Sequence, residues 1–114
     1  MELQQDTAGE VIVLNVTGRV DSNTVPALHD RLTALLAQAR AKVLVDLSNL
    51  DYISSAGFRI LLLAAKRADK TGCRFVLCGI SGRVRQLFDM GGFLDLFSIA
   101  GTREEGIAPA GRDA

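Results

Sequence analysis

Two adjacent hydroxyls, Ser54 and Ser55, stand in the stretch Tyr52-Ile53-Ser54-Ser55-Ala56-Gly57-Phe58-Arg59, between a strand-like run from Val43 to Leu47 and an apolar helical run from Ile60 to Ala68. A helix that begins at such a junction has unpaired N–H groups in its first turn and the positive end of its dipole beside them. A serine there serves as an N-cap, accepting a hydrogen bond from a backbone N–H, which is worth about 1 kcal/mol. The same place equally suits a phosphate group. Ser54 fits the cap and Ser55 the first helical position with its hydroxyl turned outward, so the two uses are compatible.

Other chemistries find less support. No glycine-rich phosphate loop follows a strand, and Ser54-Ser55-Ala56-Gly57 lacks the first glycine of a G-x-S-x-G nucleophile elbow. The only histidine, His29, falls on the polar side of a helical stretch and is expected at the solvated surface, so no Ser/His pair forms. Asp46 lies near a strand end, but a phosphoaspartate site needs further carboxylates for Mg²⁺, and the preceding strand ends in Thr17-Gly18-Arg19. Asp46 is therefore expected to be a hydrogen-bonding residue. The two cysteines, Cys73 and Cys78, flank one apolar strand. Five residues of strand span about 17 Å, against about 5.5 Å between the Cα atoms of a disulfide. No His/Cys cluster accompanies them, so both read as buried thiols in a reducing compartment. The chain reads as non-enzymatic, with neither metal nor cofactor.

The elements that must hold the serines follow from periodicity. Alternation at Leu3, Gln5 and Thr7 suits an edge strand, Ala8-Gly9 a tight turn, and Val11 to Thr17 a stronger strand, so the chain opens on an antiparallel hairpin. Val25, Leu28, Leu32, Leu35, Leu36 and Ala39 fall on one helical stripe, with Pro26 tolerated in the first turn. Val43 to Leu47 and Arg74 to Cys78 are short apolar runs of strands covered on both faces. Ser55 to Lys70 reads as a helix ended by Gly72, and Ser81 to Met90 as a helix with Val84, Leu87 and Phe88 inward, ended by Gly91-Gly92. On the long helix Leu62 is expected to pack inward, while Phe58 fits either the core or a patch beside Ser55. Phe93 to Phe97 predicts a short turn or helix, and Thr102-Arg103-Glu104-Glu105 has capping-box spacing.

These elements predict an α/β domain: a small mixed β-sheet opened by an N-terminal hairpin, with helices packed on it. Residues 1–107 make the domain and 108–114 a frayed tail. Right-handed crossovers would bring the loops at Gly18–Asn23, Leu50–Ser55 and Gly79–Gly82 to one rim. With 114 residues the chain can bury roughly 65% of its unfolded surface without staples. Its formal net charge of zero predicts no attraction to nucleic acid or anionic membrane. The run from Ile60 to Ala65 is too short to span a bilayer and the N-terminus is unlike a signal peptide, so a cytoplasmic protein is expected.

Three stretches resemble the STAS domain of the anti-sigma factor antagonist family, from about residue 2 to residue 106. Gly18-Arg19-Val20-Asp21-Ser22-Asn23-Thr24 is similar to the family's G-x-x-D-x-x-T turn into the first helix. The run from Val45 through Asp46-Leu47-Ser48 to Ala56-Gly57 is similar to its D-L-S signature ending in paired hydroxyls and glycine, and Leu77 to Phe88 to the strand, loop and helix that follow. The family's common aspartate before the hydroxyls is Ser54 here, and the second hydroxyl position is Ala56. The resemblance therefore implies a single phosphoacceptor, Ser55, with Asp21 as the acidic residue beside it. It implies a regulatory protein that binds an anti-sigma factor, a serine kinase of the GHKL type, when unphosphorylated, and that a cognate phosphatase resets. The expected partner-binding rim comprises Asp21, Ser22, Asn23 and Thr24, then Ser54, Ser55, Ala56, Gly57, Phe58 and Arg59, then Ser81, Gly82 and Arg83. The same resemblance leaves two alternatives, a cytoplasmic STAS subunit of a membrane lipid transporter or a scaffold subunit of a signalling assembly.

Overall fold

The computed structural model describes residues 1–108; residues 109–114, most of the expected tail, lie outside the described part. Strands β1 (Glu2–Ala8) and β2 (Val11–Val20) pair antiparallel through a two-residue turn at Gly9 and Glu10. Helix α1 (Val25–Leu36) leads to β3 (Lys42–Asp46), β4 (Leu50–Ile53) and the long α2 (Ser55–Thr71). Then come β5 (Arg74–Cys78), α3 (Gly82–Met90), a 3₁₀ turn (Leu94–Leu96), β6 (Ile99–Ala100) and α4 (Arg103–Ile107). The sheet is mixed, in the order β1-β2-β3-β5-β6, with every neighbour after the opening hairpin parallel. This is the expected α/β architecture.

The continuous apolar runs cover both faces. In β3 the side chains of Val43 and Val45 join the large core beneath the helices, while Leu44 faces a smaller cluster on the other side. In β5 Phe75 and Leu77 take the first face, Val76 and Cys78 the second. The larger core also holds Leu28, Leu32, Leu35 and Leu36 of α1 with Phe58, Leu61, Ala64 and Ala68 of α2. The smaller cluster takes Ile107 of α4. Burying a leucine or phenylalanine side chain is worth about 1.5–3 kcal/mol, so the helix face dominates the stability.

Several expectations need correction. The run expected as the loop Leu50–Ser55 contains β4, because β2 shifts register between Gly18 and Arg19 and its last residues leave β3 to pair with Leu50, Tyr52 and Ile53. That partnership is tertiary and leaves no local signal. Ala39 lies beyond the end of α1 and is exposed, since the chain reverses through Arg40 at φ 57° to enter β3. Leu62 is only half-buried, and Leu61 and Phe58 are the residues that pack inward. Each i to i+4 step drifts about 40° around a helix, which carries Leu62 away from the face that buries Phe58. Cys73 is half-exposed rather than buried, because it belongs to the turn after α2; both thiols are free. The two-residue β6 was not visible as a strand.

Candidate functional site at the C-terminal rim of the parallel sheet

The turn into α1 is built around Asp21. Its carboxylate oxygen Oδ1 accepts from the N–H groups of Asn23 at 3.0 Å and Thr24 at 3.3 Å. Thr24 returns the bond: its Oγ1 accepts from Asp21 N–H at 2.9 Å and donates to the Arg19 carbonyl at 3.0 Å. The N-cap of α1 is Thr24, whose side chain makes no cap bond, so Asp21 holds the turn from outside the helix. This is the turn chemistry open to a short carboxylate.

The second turn is joined to the first. Ser54 N–H donates to the Val20 carbonyl at 2.9 Å. Ser54 is the N-cap of α2, extended at φ −84° and ψ 171°, and its Oγ accepts from Gly57 N–H at 3.3 Å. Ser55 is the first helical residue and exposed, and among the described residues its hydroxyl has no hydrogen-bond partner. Ala56 beside it is also exposed. Gly57 is buried, and a Cβ there would sit 2.6 Å from Ile53 Cγ1 and 2.7 Å from Val20 Cγ1. A glycine is what lets α2 start so close over the ends of β2 and β4. Phe58 points inward, stacked on Phe93 at 4.3 Å and edge-on to Phe88 at 4.6 Å. It is therefore an anchor of the helix, and Arg59, the next residue, is exposed.

The third loop closes the rim. Ile80 is buried in the core, while Ser81, Gly82 and Arg83 are exposed at the start of α3. Ser81 is the N-cap but makes no side-chain cap bond. The three turns follow the C-terminal ends of the parallel strands β2, β4 and β5, and Gly18 to Val20, expected in the first loop, belong to β2. No described hydrogen bond or ion pair links Asp21 to Ser55. The connection between their turns is the backbone bond from Ser54 to Val20.

Two features at this end of the sheet escaped sequence reasoning. Arg19 lies 4.4 Å over the Tyr52 ring and 3.9 Å from Asp21 Oδ2. Arg19 and Tyr52 are register partners of β2 and β4, so the pair becomes visible only when β4 is known. At the end of β3, Asp46 is 7% exposed and accepts from Ser48 Oγ at 2.7 Å, Ser48 N–H at 3.0 Å and Arg103 Nη2 at 2.9 Å. Arg103 also reaches Asn15. Burial pushes the Asp46 pKa up, but the bonds from Ser48 and Arg103 outweigh it and hold the carboxyl below its ordinary value. Asp46 is a hydrogen-bonding residue, as its position near a strand end implies. Burial, aided by Asp46, pushes the neighbouring Cys78 thiol up to about 11, which leaves it protonated and unreactive at neutral pH. Among the described residues no group of three metal-ligating side chains converges, and no helix is long and apolar enough to cross a membrane.

Against known proteins, residues 2–106 match the STAS domain. A provisionally named anti-sigma factor antagonist of Bordetella bronchiseptica, BtrV, is 36% identical over 108 residues, covering 95% of this chain and 93% of that protein. The fold superimposes on the crystal structure of an anti-sigma factor antagonist from Mycobacterium paratuberculosis with a TM-score of 0.83, at 23% identity over 93% of this chain and 90% of that one. It also superimposes on the phosphorylated form of the Bacillus cell fate determinant SpoIIAA, with a TM-score of 0.69 at 20% identity over 93% of this chain and 96% of that one.

Proposed function

The chain belongs to the STAS domain family, and from that premise we propose that it is an anti-sigma factor antagonist of a partner-switching system, controlled by phosphorylation of Ser55. The observation that carries this reading is the division of labour between the two serines. Ser54 is committed to capping α2, Ala56 has no hydroxyl, and Ser55 stands exposed with its hydroxyl unpartnered among the described residues. The family resemblance and the exposed geometry thus both support Ser55.

Unphosphorylated, the rim of Asp21–Thr24, Ser54–Arg59 and Ser81–Arg83 binds an anti-sigma factor in the cytoplasm, a GHKL-type serine kinase, and so frees its client. Within that rim Gly57 and Phe58 shape the surface from below and the exposed residues make the contacts. The kinase transfers the γ-phosphoryl group of ATP to Ser55 Oγ, which gives up its proton as ADP leaves. The new group adds about −1.5 to −2 charges at a spot that binding must desolvate. An unpaired charge in an interface costs several kcal/mol, and each 1.4 kcal/mol is tenfold in affinity. The helix dipole favours the phosphorylated free form, so release needs no refolding. A phosphatase then removes the group.

The test is incubation with candidate anti-sigma kinases and ATP, followed by mass-spectrometric mapping. Phosphate on Ser55 alone is expected; phosphate on Ser54 or Ser22 with Ser55 unmodified would sink the reading. Ser55→Asp is expected to fold as well as the parent or slightly better, by about 0.3–1 kcal/mol. It should weaken kinase binding about tenfold or more by calorimetry, whereas Ser55→Ala should bind normally and resist release by ATP.

A further inference from the structure

Helix α2 carries Arg59, Lys66, Arg67 and Lys70 against a single acidic residue, Asp69, in a chain whose formal net charge is zero. Among the described residues none of these four cations makes an ion pair. Lys70 lies in the last turn, where the helix dipole favours a cation. Arg59 does not: it stands one turn after the N-terminus, near the positive pole, and no acidic residue occupies that first turn. Helix stability does not account for it.

The arrangement around the helix is as specific as the charge. Phe58, Leu61, Ala64 and Ala68 are buried, and at about 100° per residue the opposite side is a ridge of Ser55, Arg59, Leu63, Lys66 and Lys70. All five are exposed, and Leu63, at 51%, is a large apolar side chain held open among cations. Beside Leu63 a cavity of about 200 Å³ runs between α1 and α2, with Leu32, Leu36 and Ile60 in its lining, His29 on one bank and Arg67 on the other. Small-molecule pockets are usually at least roughly 300 Å³, so this one has the size of a single side chain.

We propose that this ridge and groove form a docking surface for an acidic protein segment, which seats one bulky apolar side chain over Leu63 while its carboxylates meet Arg59, Lys66 and Arg67. Charge complementarity selects that occupant: an unpaired basic ridge attracts an acidic partner and repels a basic one. The regulatory part rests on the reading of Ser55 given above. A phosphoserine at the head of the ridge lies one turn from Arg59, within side-chain reach, and its negative charge turns that end from attracting an acidic partner to repelling it. The docking surface itself extends the rim beyond Arg59, along the helix and onto α1.

The first test is an NMR titration with a capped hexapeptide of two central leucines flanked by glutamates, and with its lysine-flanked twin. The acidic peptide should shift the amides of residues 59–67 and 29–36, more weakly as salt rises. Its affinity should fall about tenfold in Lys66→Glu/Arg67→Glu, whose exposed positions leave the fold intact. Equal shifts with both peptides, or no shifts up to about 5 mM, overturn the proposal. The second test uses any kinase found to modify Ser55. The double variant should raise its KM about tenfold with kcat unchanged. Equal KM values for parent and variant overturn the docking surface and leave the Ser55 reading standing. If no kinase modifies Ser55, that reading falls, and the peptide titration decides the docking surface alone.

Discussion

Asp46 closes β3 and Ser55 follows β4, so both polar side chains stand at the same end of the parallel sheet, on opposite faces of it. Their surroundings differ in every respect. Asp46 is buried beneath α4, and its two oxygens take bonds from Ser48 and Arg103. Ser55 is exposed and its hydroxyl has no described partner. A buried charge without partners costs more than the fold can spare, so Asp46 exists only within a satisfied cluster and its chemistry is consumed by structure. A hydroxyl at a helix start costs nothing to leave in water, and it stays available. The residue that looks more reactive is the structural one, and the plainer one is left free for the switch proposed above.

The comparison is tested most severely at Gly79, whose backbone touches the buried cluster. It sits at φ +73°, and a Cβ would fall 2.7 Å from Asp46 Oδ1 and 2.8 Å from Ser48 N. Gly79→Ala combines left-handed strain with overpacking against backbone and is expected to cost about 3 kcal/mol in urea unfolding. A cost below about 1 kcal/mol would mean that the cluster yields and is not the rigid partner in this contrast.

Asp46→Ala is expected to cost about 2 kcal/mol, since it leaves Arg103 and the N–H and hydroxyl of Ser48 without their carboxylate. The figure is kept low because the Arg103 side chain is 37% exposed and water compensates it in part. The sign of the pH dependence is fixed by the lowered folded pKa. The unfolded carboxyl, near 3.8, binds a proton before the folded one does. The stabilisation is therefore full above that value and is lost as the pH falls through the folded pKa. Thermal melts of parent and Asp46→Asn should differ at neutral pH and converge toward acid; a gap that persists at acid pH would contradict the account.

The two serines give the smaller effects. Ser54→Ala removes the bond to Gly57 N–H and should cost about 1 kcal/mol, while Ser55→Ala should cost less than that and stay close to the parent. Reversal of that order in paired denaturation curves would make Ser55 the cap and remove the division of labour on which the proposed switch depends.

Much of the fold was legible because it rests on local patterns. The two-sided apolar runs of β3 and β5, the cap and glycine stop of α2 and the capping box at Thr102 each need only neighbours along the chain, and Thr102 does accept from Glu105 N–H at 3.2 Å. The choice of Ser54 as cap was legible for the same reason. β4 was not, since four residues make a strand only when the bulged end of β2 is there to pair with them. The Arg19–Tyr52 stack inherits that blindness, and so does the inward turn of Phe58, which depends on Phe88 and Phe93 arriving from α3 and the turn after it.

The sequence by itself determined that a helix starts at two hydroxyls after a buried strand, and that only one of them could be both helical and free. Hydrogen bonds over three or four residues and the period of an apolar stripe are sufficient for that. Tertiary structure alone decided that Asp46 is locked by an arginine 57 positions away, that Gly57 is pressed between Val20 and Ile53, and that an exposed leucine stands among cations beside a groove shared with α1. Those outcomes depend on which surfaces meet when strands pair and helices pack, and contacts between distant segments leave no periodic trace in the chain.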